Sequence, residues 1–285
     1  MAIIGAGRVG VAFGVLLERA GYHVVAASGR RASFERVRRY LPFAEFVQPH
    51  QAAAAADVIL FAVPDDLIAP GCAAMAGQDA FRPGQFVLHT SGVMGLDALE
   101  PAAEAGAEIL STHPLQSFPE VAEGIERLPG SAIGVTARTE RGAAFGEEVA
   151  RAVGGEPFGV AEHLKPIYHA AAVFCSNYLV VVEGLAEELF ALAGVEGGLA
   201  KAGPLARTAF EAVMERGPTA ALTGPAARGD TGTVVRTLDL LADRAPDAAK
   251  AYAALAREAA RLATRGGKLS DEERRKLDEA LDRWR

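Results

Sequence analysis

A histidine, a serine and an asparagine interrupt a long apolar stretch in the second half of the chain. His169, Ser176 and Asn177 follow Lys165-Pro166, a pair suited to a helix start, and most of their neighbours are Ala, Val, Leu and Phe. At about 100° per residue, one continuous helix places all three on a single broad face. A cleft-facing histidine can give a proton to a ketone oxygen, since its ordinary pKa is about 6.5. The alternative is that these side chains hydrogen-bond within a helical domain.

Other polar residues follow the strands predicted for the first half of the chain. His113 ends a segment with the pattern of a buried strand, and Ser91 and Gly92 end the one before it. Ligands of an open parallel sheet bind beyond the carboxyl ends of its strands, so these residues are expected at one crevice, together with Gln116. His113 would orient a substrate carboxylate, act as the acid, or only cap its strand. Ser91 and the N–H groups around Gly92 would contact a substrate anion or the carboxamide of a cofactor.

The first ten residues contain three glycines at a spacing typical of a nucleotide-binding turn. A short apolar strand runs into Gly5-Ala6-Gly7-Arg8-Val9-Gly10, and an apolar helical pattern follows. Gly5 would allow the tight turn, Gly7 would let a pyrophosphate approach the backbone, and Gly10 would let the helix lie close to the strand. The helix N-terminus adds free N–H groups and a partial positive charge. The pattern predicts that these six residues bind a dinucleotide; a close-packed turn is the alternative.

The end of the second predicted strand favours NADP over NAD. Ser28, Arg30 and Arg31 stand where NAD-binding folds usually place a carboxylate for the ribose 2'-hydroxyl, about 20 residues after the glycines. No carboxylate occurs between Glu18 and Glu35. Guanidinium groups form paired, charged hydrogen bonds with phosphate, which suits a 2'-phosphate. The alternative is a solvated helix start with incidental arginines.

The order of the apolar segments predicts the elements that hold these residues. Interior parallel strands are predicted at residues 57–64, 85–92 and 107–114, and edge strands at residues 131–135 and 157–160. Val63 and Pro64 end the first of the interior runs and are expected to contact the cofactor. Beyond about residue 162 the pattern contains helices only, and the first of them is a long buried helix from Lys165 to Ala193.

The fold class predicted from this order is α/β plus all-α. A Rossmann-like, mostly parallel sheet is expected in residues 1–160, and a helical domain for substrate binding and dimerisation in residues 161–285.

Composition and charge argue against several functional classes. The 285 residues are 50% hydrophobic and carry a net charge of −7 without a basic block, which argues against nucleic acid as a partner. Two cysteines are too few for a disulfide scaffold, so a cytoplasmic location is expected. The apolar run at residues 170–182 is too short to cross a bilayer, and the first 17 residues lack a basic leader. The six histidines show no zinc-type spacing, so no metal site is predicted.

Five motifs together resemble those of a known family. They are Gly5–Gly10, Ala62–Asp66, His113–Pro119, His169–Tyr178 and Ala221–Asp230. Nearly the whole chain resembles the Rossmann-like NADP oxidoreductases whose C-terminal helical domain has no assigned function. More distantly, it is similar to ketopantoate reductases, 3-hydroxyisobutyrate dehydrogenases and pyrroline-carboxylate reductases. The resemblance implies NADP as the cofactor, a small keto acid or imine as the substrate, and a homodimer formed through the helical domain.

One residue of the better-known relatives is missing. Enzymes of the hydroxyisobutyrate type carry a lysine four residues before their active-site asparagine, but Val173 stands four residues before Asn177. Lys165 lies three turns upstream and cannot be assumed to replace that lysine. The proton donor is therefore open between His169 and His113.

The leading hypothesis is an NADPH-dependent reductase of a small carboxylated carbonyl, with a ketopantoate-like 2-keto acid as the best guess. Arg228 lies in a polar loop of the helical half and could pair with the substrate carboxylate; an internal salt bridge with Asp230 is the alternative. A non-catalytic NADP-binding sensor or scaffold is the rival hypothesis, because the lysine of the relatives is missing.

Overall fold

The structure, a computed structural model, describes residues 1–284. They form two compact units, one of residues 1–175 and one that begins at Ser176. The strands lie in the first unit, and the second is helical. The predicted fold class, a Rossmann-like mostly parallel sheet followed by a helical region, is confirmed. The predicted domain boundary at residue 160 follows the last strand, and the first unit extends beyond it through one further helix.

One eight-stranded sheet forms the centre of the first unit. Its strands are β1 (Ala2–Ile4), β2 (Ala26–Ser28), β3 (Glu45–Phe46), β4 (Val58–Phe61), β5 (Phe86–His89), β6 (Glu108–Pro114), β7 (Ala132–Ala137) and β8 (Glu156–Gly159). They lie in the order β3-β2-β1-β4-β5-β6-β7-β8, and every neighbouring pair is parallel except β6 and β7. The order from β3 to β6 is that of a dinucleotide-binding sheet.

Helices cover both faces of this sheet. Those of the first unit are α1 (Arg8–Arg19), α2 (Arg31–Tyr40), α3 (Pro49–Ala54), α4 (Ile68–Ala76), α5 (Glu100–Glu104), α6 (Val121–Arg127), α7 (Glu140–Ala152) and α8 (Lys165–Cys175). Leu60 and Leu88 pack with Phe13 of α1 in one core cluster, and Ile59 and Val87 belong to a second. All five side chains are buried, which explains why β4 and β5 are nearly all apolar.

The register of the strands brings their ends together. Phe61 of β4 is opposite His89 of β5, and His89 is opposite Ser111 of β6. β6 continues past this point and pairs with the antiparallel β7, where His113 is opposite Gly134. The residues that follow β4 and β5 and the last residues of β6 therefore lie at the carboxyl edge of the parallel strands, as the sequence predicted.

Six helices form the second unit. They are α9 (Asn177–Leu192), α10 (Gly198–Arg216), α11 (Pro218–Ala221), α12 (Thr231–Arg244), α13 (Pro246–Arg265) and α14 (Asp271–Leu281). Val234 and Leu238 of α12 pack with Ala253 and Ala260 of α13 and with Leu277 of α14 in one buried cluster. The small alanine side chains let α12 and α14 approach α13 closely, and this packing holds the unit together.

The single long helix predicted from Lys165 to Ala193 is wrong, because the helix breaks at Ser176. The backbone of Ser176 has φ −127° and ψ −70°, outside the helical region, so α8 and α9 are separate helices. The common face inferred for His169, Ser176 and Asn177 depended on an unbroken helix and does not hold. The expectation that this segment is buried is also wrong, because no residue of α9 is buried.

Within residues 1–284, Glu162–Leu192 is the one stretch that is long and apolar enough to cross a membrane by length and composition. It comprises a 3₁₀ turn at Glu162–Leu164 followed by α8 and α9. Core and interface helices of globular proteins meet the same criterion, so this property alone does not assign a membrane span.

Candidate functional site

The three glycines of the turn differ in the space that each leaves for a side chain. Gly5 has φ +94°, and a Cβ there would lie 2.6 Å from the carbonyl oxygen of Ala62. A Cβ at Gly10 would lie 2.6 Å from the carbonyl oxygen of Gly5 and 2.9 Å from Ile3 Cγ2, so Gly10 lets α1 pack closely on β1. A Cβ at Gly7 would meet only one heavy atom, at 3.9 Å. Gly7 precedes α1 without a side-chain cap, which leaves the first N–H groups of the helix available to an anion.

A cavity of about 610 Å³ lies beside this turn. It is lined by Gly7, Arg8, Val9, Arg30, Ala32, Ser33, Arg36, Ala62 and Phe118. Arg36 reaches the turn itself, since its NH1 donates a hydrogen bond to the carbonyl oxygen of Ala6 at 3.1 Å. Three guanidinium groups make this cavity cationic, and its chemistry suits phosphate groups.

Of the three residues predicted near the end of β2 to bind the cofactor, Arg30 lines this cavity and the other two do not. Ser28 is buried at the end of β2, and its carbonyl oxygen accepts hydrogen bonds from the N–H groups of Gly5 and Ala6, so it shapes the turn. Arg31 is the first residue of α2 and is exposed. Arg36, which the sequence analysis missed, lies one and a half turns further along α2. Its place on α2 was the available signal, but α2 also carries Arg38 and Arg39 and gave no reason to choose among them.

Lys165 is buried at the carboxyl edge of the sheet, with only 1% of its surface exposed. Its Nζ donates hydrogen bonds to the carbonyl oxygen of Ser91 at 3.0 Å and to Ser111 Oγ at 2.8 Å. Burial lowers the pKa of Lys165 to about 8, although the carboxylates of Asp65 and Glu162 act in the opposite direction. The structure therefore places an ammonium group with a lowered pKa beside the loop where Ser91 and Gly92 were predicted to meet a ligand.

Lys165 was not expected at the site because it does not stand four residues before Asn177. It stands four residues before His169, and it is the only lysine in the first 200 residues. Those two facts were the signals that could have found it.

His113 and His169 both lie against Gly92. Their ring centroids are 5.7 Å apart, and a hydrogen bond of 2.7 Å joins His113 Nδ1 to the hydroxyl of Tyr168. Burial, together with the nearby charges of Lys165 and His169, lowers the pKa of His113 to about 4. Burial also raises the pKa of Tyr168 to about 12, so both partners are neutral at neutral pH. Within residues 1–284, Nδ1 of His169 is buried and has no hydrogen-bond partner.

His89, which the sequence analysis did not single out, shapes the loop after β5. The N–H of Ser91 donates to His89 Nδ1 at 3.1 Å, so the ring proton is on Nε2, which donates to the carbonyl oxygen of Gly95 at 3.3 Å. Burial, with a contribution from the charge of Lys165, lowers the pKa of His89 to about 3 and keeps it neutral. Ser91 Oγ accepts hydrogen bonds from the N–H groups of Val93 and Met94. The loop is thus fixed by groups that were expected to bind ligands.

Gly92 tolerates no side chain, because a Cβ there would lie 2.6 Å from His169 Nδ1 and 2.7 Å from His113 Nε2. Gly92→Ala is expected to displace both rings, lower the free energy of unfolding by about 1–3 kcal/mol and reduce any activity that needs their placement. Thermal unfolding and turnover, measured side by side, check this. Gly159→Ala is the matched control, since a Cβ at Gly159 has no heavy atom within 4 Å. An unchanged Gly92→Ala protein would contradict the close packing.

The remaining predicted residues of the first unit have internal roles. Val63 follows β4, and its Cγ1 lies against Gly5, with Pro64 next in the chain. The side chain of Gln116 is engaged within its own region: Nε2 donates to Arg127 and Ser131, and Oε1 accepts from the N–H of Ser117.

Three predicted residues belong to the second unit. Ser176 Oγ donates to Asn177 Oδ1 at 2.9 Å. Arg228 is exposed at the end of a 3₁₀ turn, Ala226–Arg228, and the chain as described forms no salt bridge between Arg228 and Asp230. Asp230 instead accepts a hydrogen bond from the N–H of Thr233 and caps α12. The roles of Ser176, Asn177 and Arg228 towards a ligand remain predictions.

No group of three or more His, Cys, Asp or Glu side chains in residues 1–284 is arranged to hold a metal ion. The groups that the carboxyl edge offers to a ligand are the neutral imidazole of His113, the imidazole of His169, the hydroxyl of Tyr168 and the ammonium of Lys165.

The order of the sheet and the glycine turn define the class of protein: a Rossmann-like domain joined to a helical one. Residues 1–114 match the Rossmann-like domain, and residues 131–259 match a domain of unknown function, DUF2520. These two matches confirm the resemblance given by the motifs of the chain. None of the curated protein sequences matches the chain.

Solved structures share this fold over nearly the full length. A Bacteroides fragilis protein named as a candidate NADP oxidoreductase has a TM-score of 0.76 and 22% identity, covering 91% of this chain and 97% of that chain. A Thermotoga maritima protein has a TM-score of 0.70 and 19% identity over 93% and 98% of the two chains. A variant imine reductase from Myxococcus stipitatus, in complex with NAD+, has a TM-score of 0.64 and 18% identity over 93% and 98%. These likenesses show the fold.

Proposed function

We propose that the protein is an NADPH-dependent reductase of a small carbonyl compound that carries a carboxylate, with Lys165 as the proton donor. The observation that carries the proposal is the buried Lys165 ammonium, whose pKa is lowered to about 8 by burial, at the carboxyl edge of a dinucleotide-binding sheet. The similar folds of proteins named as an NADP oxidoreductase and an imine reductase support the class of reaction.

The residues of the glycine turn suit a bound dinucleotide. Gly7 is open to the approach of a pyrophosphate, and the uncapped N-terminus of α1 supplies N–H groups to it. Arg30 and Arg36 would bind the 2'-phosphate that distinguishes NADP from NAD. When bound, NADPH supplies the hydride for the reduction.

Lys165 has the donors that a proton transfer needs. An ammonium group has three N–H bonds, and two are used by the Ser91 carbonyl and Ser111 Oγ. The third would donate to the substrate oxygen and pass its proton there as negative charge develops. This replaces the earlier expectation of a histidine acid: the lowered pKa of His113 leaves it neutral, and His169 would act with it in orienting the substrate.

The charge of this cluster favours a carbonyl substrate over a protonated imine. Lys165 is cationic at neutral pH, the buried His89 and His113 are neutral, and the substrate carboxylate would be attracted rather than repelled. A 2-keto acid similar to ketopantoate is the substrate class that we propose. The pairing of Arg228 with a substrate carboxylate stays a prediction from the sequence.

An NADPH oxidation screen over small 2-keto acids and cyclic imines, run alongside cofactor titration, tests the proposal. We expect turnover on at least one 2-keto acid and weaker or no turnover on the imines. The full burial of Lys165 between two satisfied partners is also compatible with a purely structural lysine, which favours a non-catalytic NADP-binding sensor as the second candidate. Tight NADPH binding with no turnover on any substrate would support the sensor and contradict the reductase.

We also propose a homodimer formed through the helical domain, in the cytoplasm. α9 and α10 expose large apolar side chains, among them Val180, Leu205 and Met214, each more than two thirds exposed. Light scattering at micromolar concentration is expected to give twice the mass of the chain, and Leu205→Glu to shift it towards the monomer. Leu240→Glu, at an exposed leucine of α12, is the control. A wild-type protein that is only monomeric would contradict the dimer.

A further inference from the structure

The segment that carries Lys165 is tied at two points to the loop after β5. At one end, Lys165 Nζ donates to the carbonyl oxygen of Ser91 at 3.0 Å. At the other end, Glu162 Oε1 accepts a hydrogen bond from the N–H of Leu96 at 2.8 Å. Glu162 begins the 3₁₀ turn that runs directly into α8, so a single short segment spans both ends of the loop 91–96.

Arg138 also holds the Glu162 carboxylate. Its Nε and NH2 donate to the two carboxylate oxygens of Glu162, each at 3.0 Å, and its NH1 donates to Glu100 Oε2 at 2.7 Å. A bidentate pair of this kind holds a carboxylate in one orientation. The hydrogen bonds of Arg138, followed by that of Leu96, also lower the pKa of Glu162, so it stays ionised through the neutral range.

We propose that Glu162, held by Arg138, is a positioning residue that fixes the loop 91–96 against the start of α8 and keeps a carboxylate beside the Lys165 ammonium. The proposal rests on the proposed function, in which Lys165 is the proton donor. Glu162 itself does not touch the reacting atoms, and it acts through Lys165.

Lys165 is faced by charged and titratable groups from several elements. Asp65, after β4, and Glu162 are the carboxylates whose charge favours the protonated amine. His89 of β5 and His113 of β6 are neutral, since their own pKa values are lowered by burial and by Lys165. Glu162 is thus one of two negative groups that keep Lys165 protonated near neutral pH.

Glu162→Gln separates the charge of this residue from its shape. Glutamine can still accept the hydrogen bond of Leu96, but it cannot form the ion pair with Arg138. The loss of the charge is expected to move the titration midpoint of Lys165 to lower pH by about half a pH unit or more. A merely structural role predicts the opposite direction, because a loosened segment admits water and moves the midpoint up towards the ordinary value.

Lysine labelled with 13C at Cε gives the readout without any turnover. The chain has five lysines, and the signal that disappears in Lys165→Met identifies the one required. Glu147→Gln is the matched control, because it breaks an ion pair of 2.7 Å with Arg151 on the surface of α7. The control is expected to leave the Lys165 midpoint in place.

The results also distinguish this proposal from the reductase itself. An unchanged or raised midpoint in Glu162→Gln overturns the positioning role, whatever the activity. A lowered midpoint supports it, and a fall of turnover at correspondingly lower pH supports both proposals together. A lowered midpoint in a protein that reduces no carbonyl substrate supports the placement of the carboxylate and overturns the reductase. If Glu162→Gln does not fold, Glu162→Asp tests the same contact: the shorter side chain draws the carboxylate back, so the Lys165 midpoint is expected to fall, and an unchanged or raised midpoint would overturn the proposal.

Discussion

Lys165→Met is expected to lower kcat for carbonyl reduction by about 10²- to 10⁴-fold, the usual contribution of a positioned acid. NADPH affinity should change little, because Lys165 contacts Ser91 and Ser111 and not the cavity beside the glycine turn. Methionine fills similar space without the ammonium, and the Ser91 carbonyl oxygen then keeps only the longer hydrogen bond from Ser111 Oγ, at 3.4 Å. The lost hydrogen bond costs about 1–3 kcal/mol of stability. Thermal unfolding therefore accompanies the kinetics, so that a loss of folded protein is not mistaken for a loss of catalysis.

The pH dependence of turnover tests the same role of Lys165. Burial lowers the pKa of Lys165 to about 8, so wild-type turnover is expected to fall as the pH rises through about 8, where the ammonium loses its proton. Below that pH the donor is fully protonated and turnover stays level with respect to this group. The fall should be absent from the residual activity of Lys165→Met.

Lys165→Arg separates the charge from the proton. Arginine keeps the positive charge but does not give up its proton in proteins, so this variant is expected to be nearly as impaired as Lys165→Met. Lys250→Met is the control, at an exposed lysine of α13 paired with Asp247. Full turnover in Lys165→Met would remove Lys165 from the mechanism and return the assignment to the histidines.

The strands of the first unit could be predicted because their burial is local in the sequence. Ile59, Leu60 and Phe61 are covered on both faces, so β4 is a short unbroken apolar run that no amphipathic helix would produce. The ends of such runs also locate the carboxyl edge, which is why Gly92 and His113 were expected at one crevice and lie together.

The role of Lys165 and the helix break could not be predicted from the sequence, for two physical reasons. The partners of Lys165 lie 54 and 74 residues away in the chain, and no local pattern reports such a contact. No glycine or proline stands next to Ser176 to mark the break between α8 and α9, and the helical pattern of the sequence continues across it. The apolar side chains of α9 were interpreted as core because a run of apolar residues has the same composition whether its helix is buried or, as here, exposed.

Arg30→Ala combined with Arg36→Ala is expected to weaken NADPH binding by about 10²-fold or more. Each charged hydrogen bond to a phosphate contributes about 1.5–3 kcal/mol, and about 1.4 kcal/mol corresponds to a factor of ten. NADH lacks the 2'-phosphate, so its affinity should change far less, and fluorescence titration of both cofactors gives the ratio directly. Arg31→Ala is the matched control: Arg31 is adjacent in the chain, but it does not line the cavity.

The ratio of the two affinities matters more than either value, because Arg36 also holds the turn. Its NH1 donates to the carbonyl oxygen of Ala6, so its loss can loosen the backbone that receives the pyrophosphate of either cofactor. Equal weakening of NADPH and NADH would assign both arginines to the shape of the turn and contradict a phosphate contact. Weakening confined to NADPH, with Arg31→Ala unaffected, would place the 2'-phosphate against Arg30 and Arg36. In that case the preference for NADP depends on Arg30, the N-cap of α2, and Arg36, six positions further along the chain, which both line the same cavity.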